Sequence, residues 1–441
     1  MHVKRHRRLL SGLAGLALAV ALALAATLPA VSASASPAAL AGPSGKPAAS
    51  GYDAVASAFI TQVGPAVIRN QDALSQFRGW MLSQAGYASS GYIGSVDDLA
   101  HKATALLWSG PSTPFLRAVI AEGARRGIAV SVRHRQYSLR QLAAAAAMAW
   151  HQARAGQWRG FKVSSVVVVS AGYDGVIVNG SYTQVPTAEM APQVRALRAT
   201  IAGVRARVRP GMPVTLTNTR DTDYAPFNAG GYMEASNGNG CSSGFAIYYK
   251  GATHTTTAQH CTSAPYYGAA SSNSYGTNVT TTPGSGGRVL SAIGDALAFD
   301  GPYNSVDDWK TVIGFGDLAV NDYVCTGGGN SGEHCNIKVT NLRVSFNDGI
   351  STFDAIEAYQ QTSGAIANMQ GDSGGPVISL ASTSSGQVRA AGMIQGFFGT
   401  GMTGSACGPV FNLGNNKCSR DVEFTSMRSI VSDLGASLLT G

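Results

Sequence analysis

The chain has 441 residues and a net charge of +8, from 32 basic and 24 acidic side chains, with 13% charged residues and 54 glycines. A hydrophobic share of 45% excludes a wholly disordered chain, and glycine without a three-residue period excludes collagen. The length suits two or three domains, and the basic excess raises nucleic acid or an anionic membrane as partners until the charge is mapped along the chain.

Residues 1–35 are expected to be a secretory signal, which makes the protein secreted. Lys4, Arg5, Arg7 and Arg8 precede an apolar run from Leu9 to about Val31, and Ala33-Ser34-Ala35 supplies the small-residue cleavage pattern. Ser11, Gly12, Gly15 and Pro29 interrupt that run, which argues against a retained membrane anchor. Residues 36–50 are rich in Ala, Ser, Pro and Gly, a flexible leader.

Residues 51–227 read as an α+β unit without cysteine. From about 52 to 160 the pattern is helical. Ser95 precedes Val96-Asp97-Asp98, acids placed as in a helix's first turn. Thr113-Pro114 gives a cap followed by a proline at the first helical position. Ser138 and Gln141 form a capping box before an alanine run that ends near Trp150. Val166–Val169, a turn at Gly172–Gly175 and Val176–Val178 read as a β-hairpin. A helix is expected from Ala188 to Arg205 and a strand from Val214 to Thr217.

Beyond about Phe227 helical periodicity stops until a closing helix at Ser426–Leu434. Short apolar runs recur between Gly, Ser, Asn and Thr clusters: Gly244–Tyr249, Ala296–Phe299, Thr311–Ile313, Lys338–Phe346, Val377–Leu380 and Ala390–Ile394. This is the pattern of an all-β barrel or sandwich. The charge divides at the same boundary. Residues 228–441 carry a net −6 and residues 36–227 a net +10, counted from the sequence. The arginines of the basic half are scattered and form no compact patch with interleaved aromatics, which argues against nucleic acid.

All six cysteines, Cys241, Cys261, Cys325, Cys335, Cys407 and Cys418, lie in the acidic half. Six cysteines allow 15 connectivities. Pairing of sequence neighbours would close three loops of about 10 to 20 residues, each contributing roughly 3 kcal/mol. No CxxC pair occurs, so no zinc site is expected, and no cofactor is implied.

Three segments carry chemistry: Thr257-Ala258-Gln259-His260-Cys261, Gly294-Asp295-Ala296-Leu297-Ala298-Phe299 and Gly371-Asp372-Ser373-Gly374-Gly375-Pro376. A serine hydroxyl is a poor nucleophile near neutral pH. It needs an imidazole to take its proton and a carboxylate to hold the imidazole's tautomer. Glycines around the serine let backbone N–H groups converge on a developing oxyanion. His254 and His334 are the rival histidines, and Asp300, Asp307 and Asp308 the rival carboxylates.

Gly371–Pro376 together with the Thr-Ala-x-His-Cys segment resembles the chymotrypsin-fold serine proteases, and most of all their small secreted bacterial branch of streptogrisin and α-lytic type. The resemblance covers roughly residues 228–435. It implies a double six-stranded β-barrel with the site in the cleft between barrels. It further implies Ser373 as nucleophile, His260 as general base and then acid, Asp295 as orienting carboxylate, the N–H groups of Gly371 and Ser373 as oxyanion hole, and a Cys241–Cys261 disulfide anchoring the histidine loop.

The chain departs from the family at three points. Gln259 replaces a small residue, and Met369 stands where a cysteine is common, which leaves Cys407–Cys418 as the third pair. The Cys325–Cys335 loop lacks the arginine that relatives pair with the aspartate before the serine, so Asp372 is expected to find Arg343 or Arg389. Ala367 falls at the family's pocket floor, with Asn368 beside it. Gln395-Gly396-Phe397 falls on the strand that pairs with substrate, so a small or apolar residue before the scissile bond is expected. Bacterial members carry an N-terminal pro-region, and residues 51–227 match its position. The reading is a monomeric secreted serine endopeptidase, residues 228–441, that acts on protein or peptide substrates, needs no membrane after signal removal, and has its own pro-region as folding assistant and inhibitor. The alternative is a catalytically silent homologue acting as an extracellular binding module.

Overall fold

The computed structural model describes residues 51–158, 161–182, 200–210, 213–214, 223, 225–235, 240–261, 265–268, 273–304, 309–383, 386–398, 401–410 and 416–441. The signal and leader read from the sequence lie outside them. The described residues belong to one compact unit.

Helix α1 (Ala54–Val63) starts at Asp53, whose side chain accepts the Ala56 N–H. It buries Ala56, Phe59 and Ile60 in an apolar cluster that also holds Phe245, Ile247 and Met427 of the acidic half. Helix α2 (Pro65–Ser83) opens on a proline and packs Leu74, Phe77 and Met81 on Leu106 and Trp108. Then comes a three-stranded sheet, β1 (Tyr92–Asp98), β2 (Ala103–Ser109) and β3 (Ala129–Arg135), with α3 (Pro114–Arg125) between its parallel members. The helical reading of 52–160 is therefore wrong for these strands. Asp97 does not cap a helix turn: it is buried in β1, and its carboxylate takes the guanidinium of Arg78 at 2.5 Å.

Locally encoded features match the sequence. Thr113 caps α3 through the Leu116 N–H, and Ser138 with Gln141 forms the capping box of α4 (Leu139–Arg154). Strands β4 (Phe161–Ser170) and β5 (Val176–Tyr182) make the expected antiparallel hairpin. Of the helix expected at 188–205, residues 188–199 lie outside the described ones. From Thr200 the chain is extended, leading into β6 (Val204–Pro210). There Val204 and Ala206 are buried while Arg205 and Arg207 are exposed, a period of two that fits a strand and not a helix. Strand β7 (Pro213–Val214) is the described part of the strand expected at 214–217.

In the acidic half β8 (Gly244–Tyr249), β9 (Ala252–Ala258), β10 (Asn278–Thr282) and β11 (Gly287–Leu290) join in one antiparallel sheet. Strands β12 (Gly294–Phe299) and β13 (Trp309–Phe315) follow. The second layer is a closed antiparallel barrel of six strands: β14 (Tyr323–Gly328), β15 (Gly332–Asn347), β16 (Thr352–Gln360), β17 (Pro376–Leu380), β18 (Gln387–Phe398) and β19 (Asp421–Ser426). The ring runs β14–β15–β16–β19–β18–β17 and returns to β14. The first layer is a sheet of five strands, β10–β11–β9–β8 and a short strand at Ser437–Leu438. Helix α5 (Met427–Leu434), expected from the sequence, ends at Gly435, φ 60°. The three disulfides join Cys241–Cys261, Cys325–Cys335 and Cys407–Cys418.

The two halves share hydrogen bonds and core. Strand β4 pairs antiparallel with β15, from Asn341↔Ser170 to Phe346↔Ser165. Trp150, Val166 and Val168 lie in one apolar cluster with Val339, Val377 and Phe424. Arg78, 1% exposed, reaches across. It binds Asp97 of its own half and Asp322 of the other, and donates from Nε and Nη2 to the Asp317 carbonyl at 2.9 and 2.8 Å. Arg209 joins Glu357 at 2.6 Å, and Asp72 joins Arg389 at 2.5 Å in the opposite sense.

Removing the cation from a buried ion cluster strands two carboxylates. Arg78→Ala in the full chain is expected to lower unfolding free energy by roughly 3–5 kcal/mol, read from urea midpoints. A loss below about 1 kcal/mol would place Arg78 among ordinary surface pairs.

Candidate functional site

Strand β9 delivers the histidine segment. Thr257 Oγ1 donates to the Ser242 carbonyl at 2.9 Å, and Cys261 is tied to Cys241, so the residues around His260 are held from both sides. The serine turn packs directly against this strand. The Ser242 N–H donates to the Ser373 carbonyl at 2.8 Å, and Ser242 Oγ donates to the Gly371 carbonyl at 2.7 Å. A side chain at Gly374 would meet Thr257 Oγ1 at 2.2 Å, and its φ is +88°, so both contact and conformation demand glycine. The structure thus brings the His260 and Ser373 segments together.

Ser373 is fully buried. Its Oγ and both His260 ring nitrogens have no hydrogen-bond partner among the described residues. The amide N–H groups of Gly371 and Ser373 likewise donate to nothing among them. The carboxylate within ion-pair range of His260 is Asp348, at 3.6 Å from Nδ1 to Oδ2. Asp348 was not read from the sequence. It sits in the turn between β15 and β16, where Asn347-Asp348-Gly349 signals only a turn. Its Oδ1 accepts the Ile350 and Ser351 N–H groups at 2.8 Å each, and Gln259 Nε2 donates to Oδ2 at 3.0 Å. Burial alone would raise its pKa, but His260 and these donors together hold it below the usual carboxylate value. The unusual Gln259 thus has a structural partner. Asp295 is buried at the start of β12, and its Oδ1 accepts the Ala296 N–H at 2.7 Å. No hydrogen bond joins it to His260.

Asp372 corrects an expectation. Arg343 pairs with Asp354 at 3.1 Å and Arg389 with Asp72, so neither reaches it. The Cys325–Cys335 loop supplies neutral donors instead. Asp372 Oδ1 accepts the N–H groups of Asn330 and Ser331 at 3.0 Å each. Its Oδ2 accepts Ser331 Oγ–H at 2.5 Å and the Met369 N–H at 2.8 Å. Four donors satisfy the buried carboxylate without a counter-charge. Burial still pushes its pKa above 3.8, against the pull of those bonds. Gly328 makes the approach possible, since a Cβ there would lie 2.0 Å from Asp372 Cγ.

Ala367 is fully buried and its carbonyl accepts Thr326 Oγ1–H at 2.5 Å. Asn368 Nδ2 donates to the Asp421 carbonyl at 2.6 Å, which ties its amide to the barrel. Gln395 Nε2 donates to the Gly286 carbonyl at 3.1 Å. Gly396 pairs with Glu423, and Phe397 pairs through its backbone with Val214 of β7. The Phe397 side chain is buried in the shared core, in the same apolar cluster as Ala367.

No protein-family profile matches the chain, and no curated protein does. Among solved structures, the chain is similar to a glutamic acid specific serine protease described as using a histidine triad in substrate binding, at 19% identity and a TM-score of 0.36. It is also similar to Protease A of Thermobifida fusca, at 24% and 0.35. Each likeness covers 48% of this chain and 98% of the other. An α-lytic protease homologue is similar at 17% and 0.33, covering 48% of this chain and 97% of its own.

The Asp372 cradle predicts both a magnitude and a pH dependence. Ser331→Ala is expected to cost about 1–3 kcal/mol, because a buried acceptor loses a donor. A carboxyl raised in the folded state contributes most below its unfolded pKa, near 3.8, and that contribution is lost as pH rises through the folded value. With one donor fewer, Ser331→Ala should lose stability over a pH range that extends further upward than in the parent. Urea midpoints measured from pH 4 to 8 check both.

Proposed function

We propose that the chain is a secreted serine endopeptidase made as a precursor, with residues 51–227 as pro-region and 228–441 as enzyme. The observation that carries this is the serine turn. A buried Ser373 hydroxyl lies on a glycine-rich bend packed on the histidine strand, flanked by two amide groups with no acceptor, and the bend is locked by Asp372. That combination is what acyl transfer needs: a nucleophile, a base beside it, and donors aimed where negative charge develops. In this reading His260 takes the Ser373 proton as the hydroxyl attacks a peptide carbonyl, then returns it to the leaving amine. The Gly371 and Ser373 N–H groups hold the oxyanion of the tetrahedral intermediate.

Asp295 remains the proposed orienting carboxylate, and Asp348 is the competing one in this form of the chain. The precursor reading is supported by β7, two residues of the N-terminal half that add antiparallel to the end of β18. Strand addition at that edge is how an extended peptide would bind, so the chain's own segment excludes a substrate. Ala367 favours a small or apolar side chain before the scissile bond.

A fluorophosphonate probe should label Ser373 in the processed protein and fail on Ser373→Ala. Absence of labelling in correctly processed protein would leave the silent binding module. Asp295→Asn should lower kcat by on the order of 10⁴ if Asp295 sets the tautomer, and Asp348→Asn by far less. The reverse ranking would move the orienting role to Asp348. Supplying residues 36–227 in trans should raise the yield of active 228–441, and an unchanged yield would remove the folding-assistant role.

A further inference from the structure

We propose that Asp53, Asp300 and Glu333 form a binding site for one calcium ion at the contact between helix α1 and the acidic half. Asp53 is the N-cap of α1; its N–H donates to Asp300 Oδ2 at 3.0 Å. Asp300 directly follows β12 and is fully buried, and Glu333 lies in β15, 3% exposed. One carboxylate oxygen from each lies within 4.8 Å of the others.

The charge there is incomplete. Lys310 Nζ contacts Asp300 Oδ2 at 2.6 Å and is the cation paired with these three carboxylates among the described residues. With all three carboxylates ionised, one ammonium would leave a net −2. More telling, Asp300 Oδ1 and both oxygens of Glu333 are buried with no hydrogen-bond partner among the described residues. Compare Asp372, equally buried, whose oxygens accept four donors. An ionised carboxylate buried without donors costs several kcal/mol, and a divalent cation supplies what is missing at all three oxygens together.

The donor set selects the metal. All ligand atoms are carboxylate oxygens, which suit a hard cation. The nearby sulfurs of Cys325 and Cys335 are joined in a disulfide and offer no thiolate. Calcium accepts irregular oxygen coordination completed by water, whereas magnesium demands a near-ideal octahedron. Burial, then the charges of Asp300 and Asp53, push the Glu333 carboxyl well above its usual pKa, so a proton is the competitor for the same oxygens.

The site draws one ligand from the N-terminal half and two from the acidic half. It is complete only while α1 is docked, so calcium stabilises the joined state through linkage. This inference does not rest on the catalytic reading.

The test uses the full chain as Ser373→Ala, which keeps it intact under the proposed function and removes nothing from this site. After EDTA treatment and dialysis, calcium is titrated by calorimetry at pH 7, and thermal unfolding is followed with and without 10 mM calcium. One calcium per chain is expected, with a Kd on the order of 10⁻⁴ M, typical of extracellular modules, and a folded-to-unfolded ratio raised about 100-fold at 100 times Kd. Asp53→Asn keeps a competent N-cap and should weaken calcium at least tenfold, while Glu333→Gln should abolish binding. Three results would overturn the site: no binding heat with unchanged unfolding, Asp53→Asn binding as tightly as its parent, or magnesium producing the same shift at the same concentration. A calcium-insensitive parent that Glu333→Gln stabilises would assign the cluster to a shared proton.

Discussion

The structure depends on one seam, the ladder between β4 and β15. Strand β15 is 16 residues long. Its first part pairs with β14 and its second part with β16 on one side and β4 on the other. Without β4, the stretch Asn341–Phe346 would be a sheet edge carrying Leu342, Val344 and Phe346, the kind of long apolar edge that soluble proteins cover. The hairpin β4–β5 covers it with backbone hydrogen bonds. The apolar faces on both sides of the ladder then merge into a shared core. Two halves of opposite net charge thereby become one hydrogen-bonded body.

The seam also explains where the polar contacts fall. The ladder runs from β15 through β4 and β5 to β6, which carries Arg209 to Glu357, while a bridge between Val96 and Val320 holds β1 beside Asp322, where Arg78 spans Asp97 and Asp322. Between the halves stand a few named pairs, Arg78–Asp322 fully buried and Arg209–Glu357 and Asp72–Arg389 partly buried. Buried pairs discriminate sharply against misdocked arrangements, because each wrong partner leaves a charge unpaired. In the proposed precursor that discrimination acts on folding, since a barrel built from non-local strand pairs gains from a template with the right register.

Features decided within a few residues were legible in the sequence. The capping box at Ser138, the cap at Thr113, the β4–β5 hairpin, most strands of the acidic half and the closing helix all rest on neighbours in the chain. The misread stretches were β1 to β3 and the extended run from Thr200 into β6. Val96-Asp97-Asp98 has the acid pattern of a helix start, but Asp97 pairs with Thr104 of β2, and its buried carboxylate is matched by Arg78 of α2. The alternating burial of Val204 and Ala206 beside exposed arginines was present in the sequence, and a strict period-two count would have found it. In the site, the Ser373 and His260 segments were readable because glycine and threonine are demanded by close packing at those positions. Asp348 was not, because nothing in a turn motif between β15 and β16 signals a histidine 88 residues earlier. The Asp372 partner was missed because its donors are mostly backbone N–H groups, which no scan of residue types detects.

The closeness of Gly328 to Asp372 has an evolutionary consequence. An arginine in this loop and the set of Asn330, Ser331 and a bare Gly328 would solve the same problem by mutually exclusive means. An arginine entering the loop would compete with the Ser331 donors for one carboxylate, and any side chain at 328 would collide with it. Single substitutions therefore lead from one solution to the other only through a worse intermediate. The loop should change as a block or not at all, and the mutational order available to this chain is set by the absence of one methyl group.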